Sequence, residues 1–418
     1  MNVWLRTFGC RANQADTEAV RAMIAAGGGT VVHDVVDADI AVFNSCAVTA
    51  DAEADLRQAV RRAARANPAL QSVVMGCAAA LDRGVIAALP SVGAVVAGAD
   101  LVGVAAALSL PPSAARAIAT VQTGARALLR IQDGCDEHCT FCATTIARGP
   151  HRSRPVDALV AEAATLAATH PEIVLTGVHI GSYGSDCQTT LGALLERLVA
   201  DVPHARFRLS SVEATEVDDR LRTLLRHGGD RVAPWLHAPL QSGSDRVLRR
   251  MGRHWYTVAT YADAIERLVH GRAVFGLGAD VIAGFPGETE DDHAATLALV
   301  DRLPFTALHV FPYSVRPGTP AVWLEGRVPP PIVARRAAEL REAGARKAAA
   351  YATTRIGTHA DVVVTGTASH RAGVTEDYLT VQLDDGTLPR RSRVRAMLAA
   401  GPNGALVART PAHTTPHD

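Results

Sequence analysis

Three patterns predict an α/β protein in three parts. Strand-like and helical segments alternate as βαβαβ over residues 1 to about 105, a longer βα alternation resumes at Ala127, and short strand-like pieces broken by turn signals follow Gly357. The first pattern implies a small doubly wound parallel sheet. The second implies a full or partial (β/α) barrel, and the third a small β-barrel. With 418 residues, 48% of them hydrophobic and 20% charged, the chain can build several cores.

In the first part the pattern places strands at Val3 to Phe8, Asp39 to Asn44 and Ser72 to Met75, with helices at Thr17 to Ala26 and Asp51 to Ala66. Residues 1–110 form this domain, and the proline- and alanine-rich stretch 111–124 reads as a linker. The second part, 125–351, has strands at Leu128 to Gln132, Glu172 to Thr176, Arg206 to Ser210, Trp235 to Leu240, Gly276 to Ala283 and Ala307 to Phe311. Its helices include Val156 to Thr169, Leu191 to Ala200 and the Arg- and Ala-rich Val333 to Ala350. The third part, 352–410, has strand-like pieces at Ala360 to Val364, Tyr378 to Leu383, Val394 to Leu398 and Ala405 to Val407, separated by turns such as Asp385-Gly386 and Asn403-Gly404. A tail, 411–418, is expected to be disordered.

Lys+Arg and Asp+Glu both number 42, so net charge neither demands nor excludes a polyanionic partner. The start, Met1-Asn2-Val3-Trp4-Leu5-Arg6, has no signal-peptide pattern, and no long apolar run suggests a membrane span, so a cytoplasmic protein is expected. Seven cysteines, an odd number scattered over a long chain, favour thiolate ligands over a disulfide framework.

Three of them, Cys135, Cys139 and Cys142, follow Cys-X3-Cys-X2-Cys spacing with Phe141 before the last. Three close thiolates without a fourth can hold a 4Fe-4S cluster with one iron open to another ligand. Zinc is the competing reading, with His138 as a fourth ligand, although adjacency to Cys139 makes joint tetrahedral coordination awkward. Cys10, Cys46 and Cys77 each fall just past the end of a predicted strand of the first sheet, and parallel sheets gather ligands at that edge. This points to a second metal site; the alternative is three unrelated buried thiols. Cys187, after a Gly/Ser-rich loop, has no assigned role.

The triad with Phe141, together with Gly284-Phe285-Pro286-Gly287-Glu288, resembles the radical S-adenosylmethionine (SAM) enzymes. The segments Gly9-Cys10-Arg11-Ala12-Asn13, Asn44-Ser45-Cys46-Ala47-Val48-Thr49 and Gly76-Cys77 narrow the resemblance to methylthiotransferases, over essentially the whole chain. Gly177-Val178-His179-Ile180-Gly181-Ser182-Tyr183-Gly184 and Ser210-Ser211-Val212-Glu213 look like the branch that acts on N6-threonylcarbamoyladenosine at position 37 of the tRNA anticodon loop. The last segment is similar to the family's TRAM domain. Two departures stand out: Ala78 and Ala80 replace an aromatic residue and a glutamine, and Ala143-Thr144-Thr145 replaces the usual Ile-Pro.

The resemblance implies two 4Fe-4S clusters and SAM as cofactors, with Cys135, Cys139 and Cys142 catalytic and Cys10, Cys46 and Cys77 holding the second cluster. Phe141, Gly177, Glu213, Gln241 and Gly284 are the expected SAM contacts. Attaching sulfur at adenine C2 breaks an unactivated C–H bond, which no side-chain acid or base achieves, so the cofactors must carry the chemistry. Arg390, Arg391, Arg393 and Arg395 form the expected RNA-binding cluster, aided by Arg335, Arg336, Arg341, Arg346 and Lys347. A one-electron reductant protein of the flavodoxin or ferredoxin type is the second expected partner of a monomer that binds no membrane. Isopentenyl-adenosine in tRNA, or an aspartate of a ribosomal protein, is the alternative substrate; a non-enzymatic iron-sulfur carrier or RNA-binding protein is the alternative from another class.

Overall fold

The computed structural model describes residues 1–410 apart from Val48 and Ala368; the expected tail lies outside the described residues. Strands β1 (Asn2–Thr7), β2 (Thr30–Val32), β3 (Ile40–Ser45), β4 (Gln71–Gly76) and β5 (Val92–Ala97) form one parallel sheet ordered β2-β1-β3-β4-β5. Helices α1 (Arg11–Ala26), α2 (Ala50–Ala66), α3 (Cys77–Ala80) and α4 (Leu101–Ala107) intervene. Alternate strand residues serve opposite faces. Phe43 and Val74 pack with Leu56 and Val60, whereas Val42, Val73 and Met75 pack with Val20, Ile24 and Val104. The sequence pattern anticipates three of the five strands. β2 is too short to signal itself, and in β5, Val-Gly-Ala-Val-Val-Ala, the glycine and two alanines dilute the strand preference of the three valines, so sheet pairing completes its structure.

The proline-rich link is an ordered clamp. Ala114 is buried against the first domain, and the Gln122 side chain bonds both backbone groups of Leu128 at 2.9 and 2.7 Å. The central part begins with β6 (Ala127–Arg130) and a two-stranded ribbon of β7 (Gln132–Asp133) and β8 (Arg152–Ser153) that encloses α5 (Thr144–Arg148). β9 (Glu172–Thr176), β10 (Arg206–Leu209), β11 (Trp235–His237), β12 (Gly276–Ala283) and β13 (Ala307–Pro312) follow. The ladders β10-β9-β6 and β11-β12-β13 join through parallel bridges at Phe207–Val232 and Ser211–His237, giving six strands whose outer members are not paired. The barrel is therefore partial. Its outer layer comprises α6 (Val156–Ala167), α7 (Leu191–Asp201), α8 (Asp219–His227), α9 (Asp245–Arg250), α10 (Val258–Val269), α11 (Glu290–Arg302) and α12 (Pro330–Arg355). α1 packs against β6, so the first domain flanks the barrel's edge strand.

The third part is a closed barrel in the order β14-β15-β16-β18-β17, built from β14 (His359–Val364), β15 (Ala372–Val374), β16 (Thr380–Leu383), β17 (Arg393–Ala400) and β18 (Leu406–Arg409). The Thr375–Tyr378 turn plugs the strand-start end of the central barrel. Tyr378 stacks on Trp235 at 4.5 Å, and Gly276 can carry no side chain because a Cβ would lie 2.1 Å from the Asp377 carbonyl. Arg206 and Arg208, both fully buried, pair with buried Glu172 at 2.6 and 2.7 Å and donate to the Asp361 and Thr375 carbonyls at 2.9 Å each.

This docking gives three of the expected RNA-binding arginines intramolecular partners. Arg390 and Arg391 donate to linker carbonyls of Thr123 and Gln122, and Arg393 pairs with Asp361. A run of arginines in sequence cannot reveal that carbonyls and a carboxylate of other segments await it. Arg390 and Arg395 are exposed, and Arg391 and Arg393 are half-buried. The basic residues of α12 are likewise engaged: Arg335 with Glu290 and Glu339, Arg336 with Glu288, Arg341 with the Val310 carbonyl, and Arg346 and Lys347 with Asp301. No helix among the described residues is long and apolar enough to cross a membrane.

Burial alone would raise the Glu172 pKa, but Arg208 and Arg206 outweigh it and hold the carboxyl well below the usual range. Its contribution is thus full above the ordinary glutamate pKa and is lost only as pH falls toward the depressed folded value. Glu172→Gln should destabilise the protein by about 3–5 kcal/mol in neutral urea denaturation, by stranding two buried guanidiniums. The gap from wild type should narrow in acid.

Candidate active site

The six cysteines lie at loops that the strands present at one edge. Cys10, Cys46 and Cys77 follow β1, β3 and β4, which are consecutive neighbours in the sheet. Two glycines make this approach possible. Gly9 has φ +91°, and a Cβ there would come within 2.6 Å of Cys46 Sγ; Gly76 has φ +97°, and a Cβ would strike the Ser45 carbonyl at 2.5 Å. Both conformations and both spaces exclude other residues. Cys10 is the N-cap of α1.

The second set sits on the segment after β7. The Cys135 amide bonds the Gly149 carbonyl at 3.1 Å and the Cys142 amide the Cys139 carbonyl at 3.2 Å, which folds the segment back on itself. Gln132 staples this loop to the next one: its Nε2 donates to the Gly134 carbonyl at 2.6 Å, and its Oε1 accepts from the Val178 and His179 amides at 3.0 and 2.8 Å.

Each sulfur of this set has its own polar neighbour. His179 Nδ1 lies 3.7 Å from Cys135 Sγ, Arg253 Nη1 3.5 Å from Cys139 Sγ, and Thr144 Oγ1 3.0 Å from Cys142 Sγ. Burial pulls the His179 pKa down, but Cys135 and Glu216 push it up to about 10. Burial likewise pushes the Cys139 thiol up to about 12 against the pull of Arg253. Thr144, one of the family departures, is thus the Cys142 partner.

Arg148 joins the two sets. It is nearly fully buried, donates from Nε to Cys77 Sγ at 3.2 Å and from Nη2 to Asn13 Oδ1 at 2.6 Å, and pairs through Nη1 with Asp16 at 2.8 Å. It stands six residues after Cys142, so one short helix carries a cation from one thiol set to the other. α3 packs on α5, with Ala78 and Ala79 buried; Ala78, the other departure, keeps that contact small. Arg316 donates to the Ala47 carbonyl at 3.3 Å and pairs with Glu53 at 2.8 Å, which pins the Cys46 loop to the central part.

A cavity of about 190 Å³ opens between the sets, lined by Thr49, Phe141, Gln241, Asp280, Tyr313 and Arg316 among others. Phe141 packs edge-on against Phe285, and Phe285 against Tyr313. Of the expected SAM contacts, Phe141 and Gln241 meet at this cavity, Gln241 with φ +65°. Glu213 lies beneath Cys139 through Arg253, and burial raises its pKa despite that partner. Gly177 is packed on Gln132, where a Cβ would meet the Gln132 carbonyl at 2.7 Å. Gly284 closes a turn at φ +76° against Val333, and its amide is taken by Glu288 at 3.1 Å. Arg148, Arg253, Gln132 and Asn13 escaped sequence reasoning as functional residues. Adjacency to cysteines was the available signal for Arg148, Gln132 and Asn13, and Arg253 had none. Cys187 is exposed.

The donor sets suit clusters better than single ions. Four ligands around zinc would place sulfurs about 3.8 Å apart, from a Zn–S bond of about 2.3 Å. Among the described residues, the groups of three His, Cys, Asp or Glu whose ligand atoms all lie within 4.8 Å comprise only His237, Asp280 and His309. The cysteine sets are wider than that, and His138 is exposed. Each set therefore fits a 4Fe-4S cluster with one iron left to a non-protein ligand. The buried Glu213 Oε2 and Tyr313 hydroxyl, without hydrogen-bond partners among the described residues, fit a polar ligand nearby.

Residues 2–98 match the Uncharacterized protein family UPF0004 and residues 129–300 the Radical SAM superfamily. The chain is 33% identical over 90% of its length, and 90% of the other's, to a Rickettsia prowazekii protein named threonylcarbamoyladenosine tRNA methylthiotransferase MtaB. It is 35% identical to a Bacillus subtilis protein of the same name, over 78% of this chain and 76% of that one. A Sorangium cellulosum protein named tRNA-2-methylthio-N(6)-dimethylallyladenosine synthase is 36% identical, over 87% of this chain and 81% of its own. In fold it is similar to the radical SAM methyltransferase TsrM of Kitasatospora setae, with a TM-score of 0.56 at 15% identity, covering 77% of this chain and 76% of that one. Fold and thiol sets together define a transferase of the radical SAM superfamily. Within it, the chain belongs to the methylthiotransferases.

Changing Cys10, Cys46 and Cys77 together to Ala should remove about half the iron from anaerobically purified protein, as should changing Cys135, Cys139 and Cys142, if each set holds one cluster. Arg148→Met should keep the iron but lower the potential of the Cys77 cluster. A lost charge-assisted hydrogen bond of about 1.4 kcal/mol shifts a one-electron couple by about 59 mV, readable by redox titration monitored with electron paramagnetic resonance.

Proposed function

We propose that this chain methylthiolates C2 of N6-threonylcarbamoyladenosine in the anticodon loop of tRNA, with two 4Fe-4S clusters and SAM as cofactors. The observation that carries this reading is the pair of three-thiol sets, each without a fourth protein ligand, linked by Arg148 beside one cavity. The relatives named for threonylcarbamoyladenosine support the substrate.

In this reading residues 1–110 hold one cluster, 111–124 connect, 125–351 form the radical SAM core, and 352–410 form an RNA-binding barrel of the TRAM kind. Cys135, Cys139 and Cys142 hold the catalytic cluster, and Cys10, Cys46 and Cys77 the second. When bound, the cofactors supply the one-electron chemistry and the sulfur that no side chain here can provide. The chain's own residues orient and enclose. His179, Arg253 and Thr144 direct polar groups at the catalytic sulfurs, and Arg148 does so at Cys77. Phe141 and Gln241, with Gly177, Glu213 and Gly284 shaping the surrounding loops, form the SAM site, and the Phe141–Phe285–Tyr313 stack keeps water from it.

Arg390 and Arg395 remain exposed for phosphate contact. The protein works as a cytoplasmic monomer, reduced by a flavodoxin- or ferredoxin-type protein.

A second reading, dimethylallyladenosine as substrate, has the Sorangium relative in its favour. Modified-nucleoside analysis of tRNA from a strain lacking this protein separates the two. The 2-methylthio derivative of threonylcarbamoyladenosine should vanish while that of dimethylallyladenosine persists; the reverse pattern would establish the second reading. With reductant and SAM, the reconstituted protein should release 5′-deoxyadenosine.

A further inference from the structure

Three side chains that the proposed chemistry does not use converge in the lumen of the central barrel. Asp280 on β12 and His309 on β13 are register partners, with His309 Nδ1 3.3 Å from Asp280 Oδ1. His237 on β11 pairs with Gly278 in register, and the missing side chain at Gly278 lets its ring reach Asp280 with Nε2 at 3.0 Å. A Cβ at Gly278 would lie 2.5 Å from His237 Nδ1. Asp280 also lines the cavity between the thiol sets, and its backbone carbonyl accepts the Gln241 amide at 2.8 Å.

One carboxylate orients two imidazoles and leaves one ring half open: the His309 side chain is 61% exposed, against 9% for His237. Asp280 hydrogen-bonds His309 and raises its pKa, which favours the imidazolium with its second N–H directed away from the carboxylate. Arg11, tethered to the Tyr378 hydroxyl, lies close enough to oppose the His309 charge. Two imidazoles and a carboxylate could in general hold a divalent metal. Here the Arg11 charge opposes a metal ion, whereas an anion would be attracted by both cations.

Resting on the substrate reading above, we infer that His309, braced by Asp280 and His237 and assisted by Arg11, binds the carboxylate of the threonyl group on N6 of the target adenosine. A dimethylallyl group has no charge to offer and would strip these polar groups of water without replacing it. The site selects an amino-acid-bearing adenosine over a prenylated one because the wrong substrate would cover these polar groups and leave them unpaired.

The test uses full-length, anaerobically reconstituted protein and anticodon stem-loops that carry threonylcarbamoyladenosine, its methyl ester, or dimethylallyladenosine. Wild type should bind the free acid about tenfold or more tighter than the ester, the worth of one charge-assisted hydrogen bond. His309→Gln and His309→Leu should bring that ratio toward unity at unchanged iron content, with SAM affinity unaltered. Retention of the acid-over-ester ratio in both variants would overturn the assignment of His309 while leaving the substrate reading standing. Wild-type preference for the dimethylallyl stem-loop would instead overturn the substrate reading itself. Weakened SAM binding in the variants would assign the carboxylate to SAM, and a non-iron divalent metal lost with His309 would make the cluster a cation site; either result overturns the proposal.

Discussion

A guanidinium shut away from water must find its charge balance in its immediate surroundings, and Arg148 finds it on both sides of a domain boundary. Asp16 and Asn13 come from α1 of the first domain, Asp133 from β7 of the central one, and the Cys77 sulfur completes the set. Neither domain alone could bury this cation without a large desolvation cost. The distance between the two thiol sets is thereby fixed by the length of a five-residue helix, α5. The two thiol sets are thus held by covalent chain and buried charge rather than by a hinge.

The same logic recurs at the other end of the central barrel. Glu172, Arg206 and Arg208 are matched inside the core, and what remains of the arginine hydrogen-bonding capacity is spent on carbonyls of the terminal barrel. Buried ion groups of this kind add specificity to a docking geometry more than they add stability. The three domains accordingly meet along seams that carry buried charge, beside the Tyr378–Trp235 stack and the α3–α5 contact, while each keeps its own apolar core.

The cysteine pattern was legible in the sequence because its information is local. Spacing of three and two residues needs no fold to be read, and the strand-end rule places Cys10, Cys46 and Cys77 once β1, β3 and β4 are recognised. The partners of those sulfurs were not legible. Arg148 and Cys77 are separated by 71 residues and Arg253 and Cys139 by 114, and nothing in either segment names the other. The intramolecular partners of Arg390, Arg391 and Arg393 were hidden for the same reason. A basic cluster states a charge, whereas its use depends on whether water, phosphate or a neighbouring carbonyl faces it, and that is settled only by tertiary packing. Gly284 was chosen as a ligand contact on its motif, while φ +76° and the side chain of Val333 already account for a glycine there.

Tyr378 sits where these arguments intersect. Its backbone is held at φ +74°, its ring lies against Trp235 and under the guanidiniums of Arg11, Arg126 and Arg208, and Arg11 is the residue after Cys10. A turn of the terminal barrel is therefore the floor of the reaction chamber. That barrel cannot be exchanged as an independent module: a chimera carrying a foreign one inherits a different floor, and with it a different chamber depth and a differently anchored arginine beside the thiol at Cys10. Substrate delivery and chemistry in such an enzyme evolve as a single trait.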